Sequence, residues 1–382
     1  MTKINTNHAT TGKNPYQPRI LVAPLDWGLG HATRCIPVIY ELMKCGAEPW
    51  LAGEGLQEAL LRTEFPDLPF LPLNGYRVKY ARSAPGLMMN MLLQTPGLLK
   101  SVRQEHEWLA TQVKLHDIDA VISDNRYGLY HPDITSIFIT HQLRVKTPFG
   151  KWSETILQNR INHYVNKFNA CWIADGENER SLAGELSHTV HRPRINMSYT
   201  GPLSRLKPGD VAEKRGHLLI SLSGPEPQRS LLENRLLKAI PRYNGTATIV
   251  RGLPGEHSII PSTNDIRFYN HLPTADYNRE MLEAEFVIAR SGYSTLMDLA
   301  TLGKKSILIP TPGQTEQEYL GKRWLNEGWA VCIDQKSFSL EKALEEARNF
   351  EYRIQPMSAG SDLRRLVSGL VKSLNISFDE GR

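Results

Sequence analysis

Several features that announce a function are missing from this 382-residue chain. No apolar run approaches the ~18 residues a membrane-spanning helix requires, so a spanning protein is excluded as the sequence expectation. The four cysteines, Cys35, Cys45, Cys171 and Cys332, form no CxxC pair and sit among apolar neighbours. That pattern fits reduced, buried thiols and argues against a disulfide or zinc framework. HExxH does not occur, and no metal ligands are expected. The amino terminus, MTKINTNHATTGKNPYQP, lacks the apolar segment of a secretory signal. It reads as a disordered lead-in over residues 1–18, and the protein is expected in the cytoplasm. There is no concentrated basic footprint either. The net charge of +5 is spread, with 21 basic and 18 acidic residues in positions 1–200 and 24 and 22 in the rest, which argues against a nucleic-acid partner.

What the chain does have is length and alternation. At 382 residues, 41% hydrophobic and 22% charged, it suits two domains rather than one core. Short β-rich apolar runs alternate with helical patterns throughout, as in βαβ units around parallel sheets. In the first half the expected strands are RILVAPL, AEPWLAG, FLPL, DAVISD, SIFIT and ACWIA; the second half restarts with HLLISLSG and continues through TATIVRG, IRFYNHL, FVIARSG, SILIPTP and WAVCID. The stretch YTGPLSRLKPGDVAEKRG between them is rich in Pro, Gly and charge, which places a hinge near residues 202–209. This gives an α/β protein of two doubly wound parallel-sheet domains, 19–203 and 204–382, facing across a cleft. At the far end Leu363, Leu366, Val367, Leu370, Val371 and Leu374 recur at helical spacing, forming a last helix that packs back toward the amino-terminal domain.

In such sheets the ligand lies at the carboxyl ends of the strands, where a loop feeds a helix amino terminus. Three loops qualify. In ILVAPLDWGLGHATRCIPV, Gly28 and Gly30 permit backbone approach to a ligand, and His31 stands at the cleft. Because proline lacks an N–H, Pro37 predicts that the helix starts no earlier than about Arg34, leaving residues 28–33 as a loop. A GxGxxG nucleotide fingerprint would need glycine at Thr33, so a nicotinamide reading is disfavoured. In LLISLSGPEPQRS, Ser223 and Gly224 precede a helix as a phosphate or sugar cradle. In FVIARSGYSTLMDLATLG the strand ends at Arg290. Ser291, Gly292, Tyr293, Ser294 and Thr295 then turn into a helix carrying Asp298, an arrangement suited to a diphosphate and a ribose. Taken alone, a capped helix, with serine or threonine as N-cap and Asp298 favouring the amino-terminal dipole, is the preferred reading of that turn.

The segment ARSGYSTLMDLATLGKKSILIPTPGQTEQEYLGKRWLNEGWA, with SLSGPEPQ and GLGHATR, resembles glycosyltransferase family 28, most strongly from Phe286 to Ala330. The resemblance implies the GT-B fold, a UDP-sugar held by the carboxyl-terminal domain and an acceptor held by the amino-terminal one. It implies Ser291, Gly292 and Thr295 at the diphosphate, Asp298 at the ribose, Gln317 at the donor sugar and backbone near Leu272 at the uracil. Gln317–Glu318 stands where the family commonly has two glutamines, and Asp298 replaces its usual glutamate. The loop GLGHATRCIPV is similar, at least as closely, to the GxGHxxR loop of UDP-sugar hydrolases of pseudaminic acid synthesis.

The activity these likenesses imply is inverting transfer of a hexosyl or N-acetylhexosaminyl group from a UDP-sugar to an acceptor, with no further cofactor. A hydrolase or epimerase of the same fold and a non-catalytic nucleotide-sugar-binding protein are the alternatives. Inverting transfer needs a base near the nucleophile and donors for the departing diphosphate. His31 is the first choice for the base and Asp124, at the end of DAVISD, the second. His141 ends SIFIT in the same layer, either as a site residue or as a structural histidine. Arg251 and Arg290 are phosphate partners or salt-bridge formers, and Ser294 and Glu318 complete the donor side. Finally, Leu87, Met88, Met91, Leu92 and Leu93, flanked by Arg77, Lys79, Arg82, Lys100 and Arg103, suit either a core helix or contact with an anionic inner membrane surface and a lipid-linked acceptor.

Overall fold

The computed structural model describes residues 16–76, 84–145, 147, 150–177, 181–189, 191–357 and 361–380. The first half runs β1 (Arg19–Pro24), α1 (Leu29–Lys44), β2 (Glu48–Gly53), α2 (Gly55–Glu64), β3 (Phe70–Pro72), α3 (Ala84–His116), β4 (Ala120–Asp124), β5 (Thr135–Thr140), α4 (Lys151–Val165), β6 (Ala170–Ile173) and β7 (Asn196–Tyr199). The second half runs β8 (Lys214–Ser221), α5 (Gln228–Ala239), β9 (Thr246–Val250), β10 (Ile266–Tyr269), α6 (Thr274–Glu283), β11 (Ala284–Ala289), α7 (Tyr293–Leu302), β12 (Ser306–Leu308), α8 (Thr315–Asn326), β13 (Val331–Cys332), α9 (Leu340–Asn349) and α10 (Ser361–Glu380).

These strands form two sheets, ordered β3-β2-β1-β4-β5-β6-β7 and β10-β9-β8-β11-β12-β13. Every strand pair is parallel. The central strands, such as Ile20–Pro24 and Ala120–Asp124, are buried along their length, because helices cover both faces of a parallel sheet. In each sheet the strand order reverses once, between β1 and β4 and between β8 and β11. Those reversals open the crevices where ligands of such sheets bind.

One apolar core runs through both halves. Ile36 and Ile39 of α1, Leu296 and Leu299 of α7, and Leu363, Val367, Leu370 and Val371 of α10 belong to it, and α10 lies against α1. Full burial of each such side chain stabilises by about 1.5–3 kcal/mol. The linker divides sharply. The Thr200 and Gly201 amides donate to Ile173 and Asp175 of the first half, while the Leu203 and Lys207 amides bond to Met297 and Asn278 of the second. The change of allegiance falls between Gly201 and Leu203.

Three expectations are adjusted. Helix α1 begins at Leu29, not Arg34, and carries Pro37 inside it. One missing N–H is outweighed by a helix face on which Ala32, Arg34, Cys35, Ile36, Val38, Ile39 and Leu42 are buried. Strand β7 was not read from the sequence. The lead-in lies outside the described residues as far as 15; its last part is anchored, with the Tyr16 ring stacked on Phe378 at 3.7 Å and its hydroxyl on Asp119. The side chains of Leu87 to Leu93, with Arg77, Lys79 and Arg82, also fall outside the described residues. Among the described residues, no helix is long and apolar enough to cross a membrane.

Candidate active site

The site begins with a glycine that only glycine suits. Gly28 precedes α1 at φ 84°, a left-handed value, so the chain leaves β1 sharply and turns straight into the helix. His31 and Arg34 then lie three residues apart on one face of the first turns, facing the switch point between β1 and β4. The register sets Pro24 opposite Asp124, which brings Asp124 under that face.

Asp124 is fully buried and Arg34 is 2% exposed. The Arg34 Nε donates to both Asp124 oxygens at 2.9 and 2.8 Å, and its Nη2 to Oδ1. His31 Nδ1 stands 3.0 Å from Asp124 Oδ2 and 2.8 Å from Arg34 Nη2. Burial works to raise the Asp124 carboxyl, but Arg34 and His31 outweigh it and hold it below its ordinary value. Burial, and then the Arg34 guanidinium, push His31 below the usual imidazole range, so its ground state is neutral.

The network crosses to the other half through His141, at the end of β5. Arg34 Nη1 donates to His141 Nδ1 at 2.8 Å, and His141 Nε2 meets Glu316 Oε1 at 2.8 Å. Arginine has no acceptor, so His141 Nδ1 carries no proton and the Nε2–H donates to Glu316. The Tyr293 ring, from the first turn of α7, stacks on His141 at 4.1 Å and 5°.

In this structure Gly30 meets the other half. Its carbonyl accepts from the Ser294 hydroxyl at 2.8 Å, and a Cβ there would stand 2.8 Å from that oxygen. Its bareness serves the close approach of α7 to α1. At Gly28 a Cβ would meet nothing within 4 Å.

The donor-side residues gather at the carboxyl edge of the second sheet. Gly292 caps α7, leaving first-turn N–H groups free of intrahelical partners. The buried Ser291 hydroxyl donates to the Gln317 carbonyl at 2.7 Å, while Thr295 lies half-buried in the same turn. Asp298 is buried and accepts from Ser204 of the linker at 2.5 Å. Burial pushes its carboxyl up to about 6, against the opposing pull of Arg205 and Ser204. Gln317 holds the Thr311 amide at 2.9 Å and Glu318 the Gly313 amide at 2.8 Å, so both shape the loop before α8. Ser223 and Gly224 are exposed after β8, with Gly224 at φ 102° and an added Cβ 3.5 Å from Thr311 Oγ1. Leu272 is buried in the loop after β10.

Arg251 and Arg290, read as phosphate partners or salt-bridge formers, both have protein partners here. Arg251 is 9% exposed, paired with Glu233 at 2.6 Å and bonded to Asn270; Arg290 is 1% exposed and donates to the carbonyls of Ile309, Pro310 and Gln228. In this structure the Arg251 guanidinium rests on a carboxylate, whereas Arg290 is held by backbone carbonyls alone. Sequence reading also missed Glu316, Tyr293's stacking role, Ser204, and Arg34 as the organiser. The signal for Arg34 was its three-residue spacing from His31, which matters only once α1 is seen to begin at Leu29. Among the described residues one trio, His217, Glu280 and Glu283, has metal-ligand spacing, at the far edge of the second sheet. Glu280 is already paired there with Arg267 and Glu283 with Lys214.

Residues 262–370 match the glycosyltransferase family 28 C-terminal domain. The chain is a glycosyltransferase of GT-B architecture. It is 24% identical over 361 residues to the UDP-N-acetylglucosamine–N-acetylmuramyl-(pentapeptide) pyrophosphoryl-undecaprenol N-acetylglucosamine transferase of Actinobacillus pleuropneumoniae, covering 90% of each chain. To the Haemophilus ducreyi enzyme of the same description it is 21% identical over 331 residues, covering 82% of this chain and 85% of that one. Among solved structures, Acinetobacter baumannii MurG matches at a TM-score of 0.53 with 15% identity, covering 94% of this chain and all of that one. Spinosyn rhamnosyltransferase SpnG complexed with thymidine diphosphate matches at 0.58 and 15%, covering 94% and 96%. These structural likenesses show the shared fold. The family 28 match places α7 and α8, with Asp298 and Glu316, inside the matched domain.

Proposed function

We propose that this glycosyltransferase moves a hexosyl or N-acetylhexosaminyl group, with inversion, from a UDP-sugar to the hydroxyl of a lipid-linked acceptor at the inner membrane surface. The observation that carries the reading is the buried Asp124–Arg34 pair holding His31 at the switch point, directly opposite the amino terminus of α7.

The roles follow from the geometry. Asp124 Oδ2 takes Arg34 Nε at 2.8 Å and also faces His31 Nδ1 at 3.0 Å; with the imidazole proton on Nδ1 toward that oxygen, His31 Nε2 is the free lone pair. A neutral imidazole in that tautomer takes the acceptor proton as the oxygen attacks, while Asp124 steadies the imidazolium that forms. The free N–H groups of α7 and the hydroxyls of Ser294 and Thr295 receive the leaving diphosphate. Asp298 accepts the ribose hydroxyls, and Gln317, Glu318, Ser223 and Gly224 border the donor sugar and phosphates. Leu272 lies at the base.

In this structure Ser294 bonds to Gly30 and Asp298 to Ser204, so a donor must displace both contacts. We infer that the halves part about Gly201–Leu203, admit the UDP-sugar and close on it. The relatives' printed names support a UDP-sugar donor and a polyprenyl diphosphate acceptor. The GxGHxxR pattern, now seen with His31 and Arg34 on one carboxylate, favours water as the second candidate nucleophile.

The deciding experiment is thermal denaturation with UDP-N-acetylglucosamine, UDP-glucose and UDP-galactose, followed by product analysis with and without a polyprenyl-diphosphate sugar. Stabilisation by one UDP-sugar and acceptor-dependent release of UDP are expected. Free sugar at the same rate without acceptor would establish the hydrolase, and stabilisation with no turnover a binding protein.

A further inference from the structure

We propose that Glu316, reaching in from the carboxyl-terminal half, is a positioning residue that makes His31 a competent base only when the two halves are together. The inference deepens the reading above and rests on it.

The groups facing His31 can be counted element by element. Helix α1 contributes Arg34 and the Cys35 thiol, β4 contributes Asp124, and the end of β5 contributes His141. From the other half, α7 contributes the Tyr293 ring stacked on His141, and α8 contributes Glu316. Within the first half alone the formal charges of Arg34 and Asp124 cancel. His31 would then gain its proton in a buried setting with no net charge to meet it, with a guanidinium nitrogen 2.8 Å away. Glu316 changes that balance. It leaves the cluster one negative charge in excess, which the imidazolium formed during proton transfer neutralises.

The geometry makes Glu316 more than a nearby charge. It sits in the first turn of α8, where a carboxylate is favoured, and its oxygen is fixed on His141 at 2.8 Å. His141 is locked between Arg34 and Glu316 in a single tautomer, so the line Asp124–Arg34–His141–Glu316 is continuous across the interface. Burial works to raise the Glu316 carboxyl, but His141, and then His31 and Arg34, hold it below its ordinary value, so it stays ionised through the working range. Because Glu316 and Tyr293 belong to one half and the other members to the other, the line is broken whenever the halves separate. The base is thereby tied to closure.

The test uses the full chain labelled on its histidine imidazoles and titrated by nuclear magnetic resonance, with His31→Gln identifying the His31 signal. In Glu316→Gln, which keeps shape and burial, the His31 midpoint should fall by about one pH unit, the order expected for losing one nearby opposite charge. Glu316→Asp, which keeps the charge but withdraws it by one methylene, should restore most of the midpoint. The acidic limb of UDP release from UDP-N-acetylglucosamine should move with it, and the plateau fall ~3–10-fold as the base weakens. An unchanged His31 midpoint in folded Glu316→Gln overturns the proposal. Should that variant not fold, Glu316→Asp decides by itself: a smaller shift in the same direction supports the proposal and no shift overturns it. If no UDP-sugar is turned over, the donor assignment fails while the titration still decides the role of Glu316.

Discussion

Asp298→Asn separates a binding role from a structural one, because the two predict opposite signs for stability. The Asp298 carboxyl is 9% exposed and pushed by burial up to about 6, from an ordinary 3.8. A group whose folded value is raised contributes stability that is fully present below its unfolded value and is lost as the pH rises through the folded one. Here that window runs from about 4 to about 6. A gap of roughly two units, at about 1.4 kcal/mol per unit, means that the ionised side chain costs the unliganded protein about 3 kcal/mol above the window. Asparagine removes the cost while its Oδ1 still accepts from Ser204. Thermal or urea denaturation without ligand should therefore find the variant more stable by about 3 kcal/mol at pH 8 and by roughly half that at pH 5. The same variant should bind UDP more weakly by ~1–3 kcal/mol, since asparagine loses the charge and puts a donor NH2 where the second acceptor oxygen met a ribose hydroxyl. A stability gap that does not change with pH, or a variant less stable at pH 8, would refute the reasoning. So would unaltered UDP affinity.

Other perturbations probe the acceptor side and the interface. His31→Ala should leave UDP affinity nearly intact and lower kcat by ~10²–10⁴, read from UDP release; full activity would remove it from the chemistry. Asp124→Asn leaves the buried Arg34 without its counter-charge, so denaturation should show a loss of about 3–5 kcal/mol together with collapsed activity. The stabilisation from Asp124 is present above its ordinary 3.8 and lost as the pH falls below it, so the gap between wild type and variant should narrow in acid. Gly30→Val should wedge α1 from α7 at Ser294, giving a larger radius of gyration by small-angle scattering and slower turnover with unchanged UDP affinity. An unaltered scattering curve would show that Ser294 simply rotates away.

Twelve of the thirteen strands among the described residues were legible as apolar runs, most clearly where helices cover both faces, as in ILVA of β1 or AVIS of β4. Strand β7, Asn196–Tyr199, was not: the edge strands β3 and β10 also lack a buried residue but still carry apolar runs, whereas β7 reads NMSY. The residues His31, Asp124 and His141 were legible as polar groups at the ends of buried strands. Their mutual contact was not, because it depends on the register of β1 with β4 and on the point where α1 starts. Pro37 misled on that point: the rule against proline in a helix interior is worth about 3 kcal/mol, less than the buried face of α1 supplies. Glu316 was out of reach for a different reason. It lies 175 positions from His141, and no local pattern reports a contact made only when two sheets meet face to face.

The meeting itself poses an electrostatic problem whose answer bears on function. Helices α1, α7 and α8 all point their amino termini, each carrying a partial positive charge, into one interface, and the Arg34 guanidinium lies between them. Such a gathering of positive potential would repel itself. Asp124 and Glu316 offset it, one from each half, which accounts for two carboxyls held below their ordinary values although burial works to raise both. On the proposed reading a UDP-sugar diphosphate then enters a site whose helix termini already favour an anion. Its charge adds to those of Asp124 and Glu316 in favouring a proton on His31 at the moment the acceptor gives one up. Donor binding and base strength would thus rise together. A His31 midpoint that climbs on saturating UDP in wild type, and climbs less in Glu316→Gln where the carboxylate across the interface is gone, would show that coupling directly; equal midpoints with and without UDP would break it.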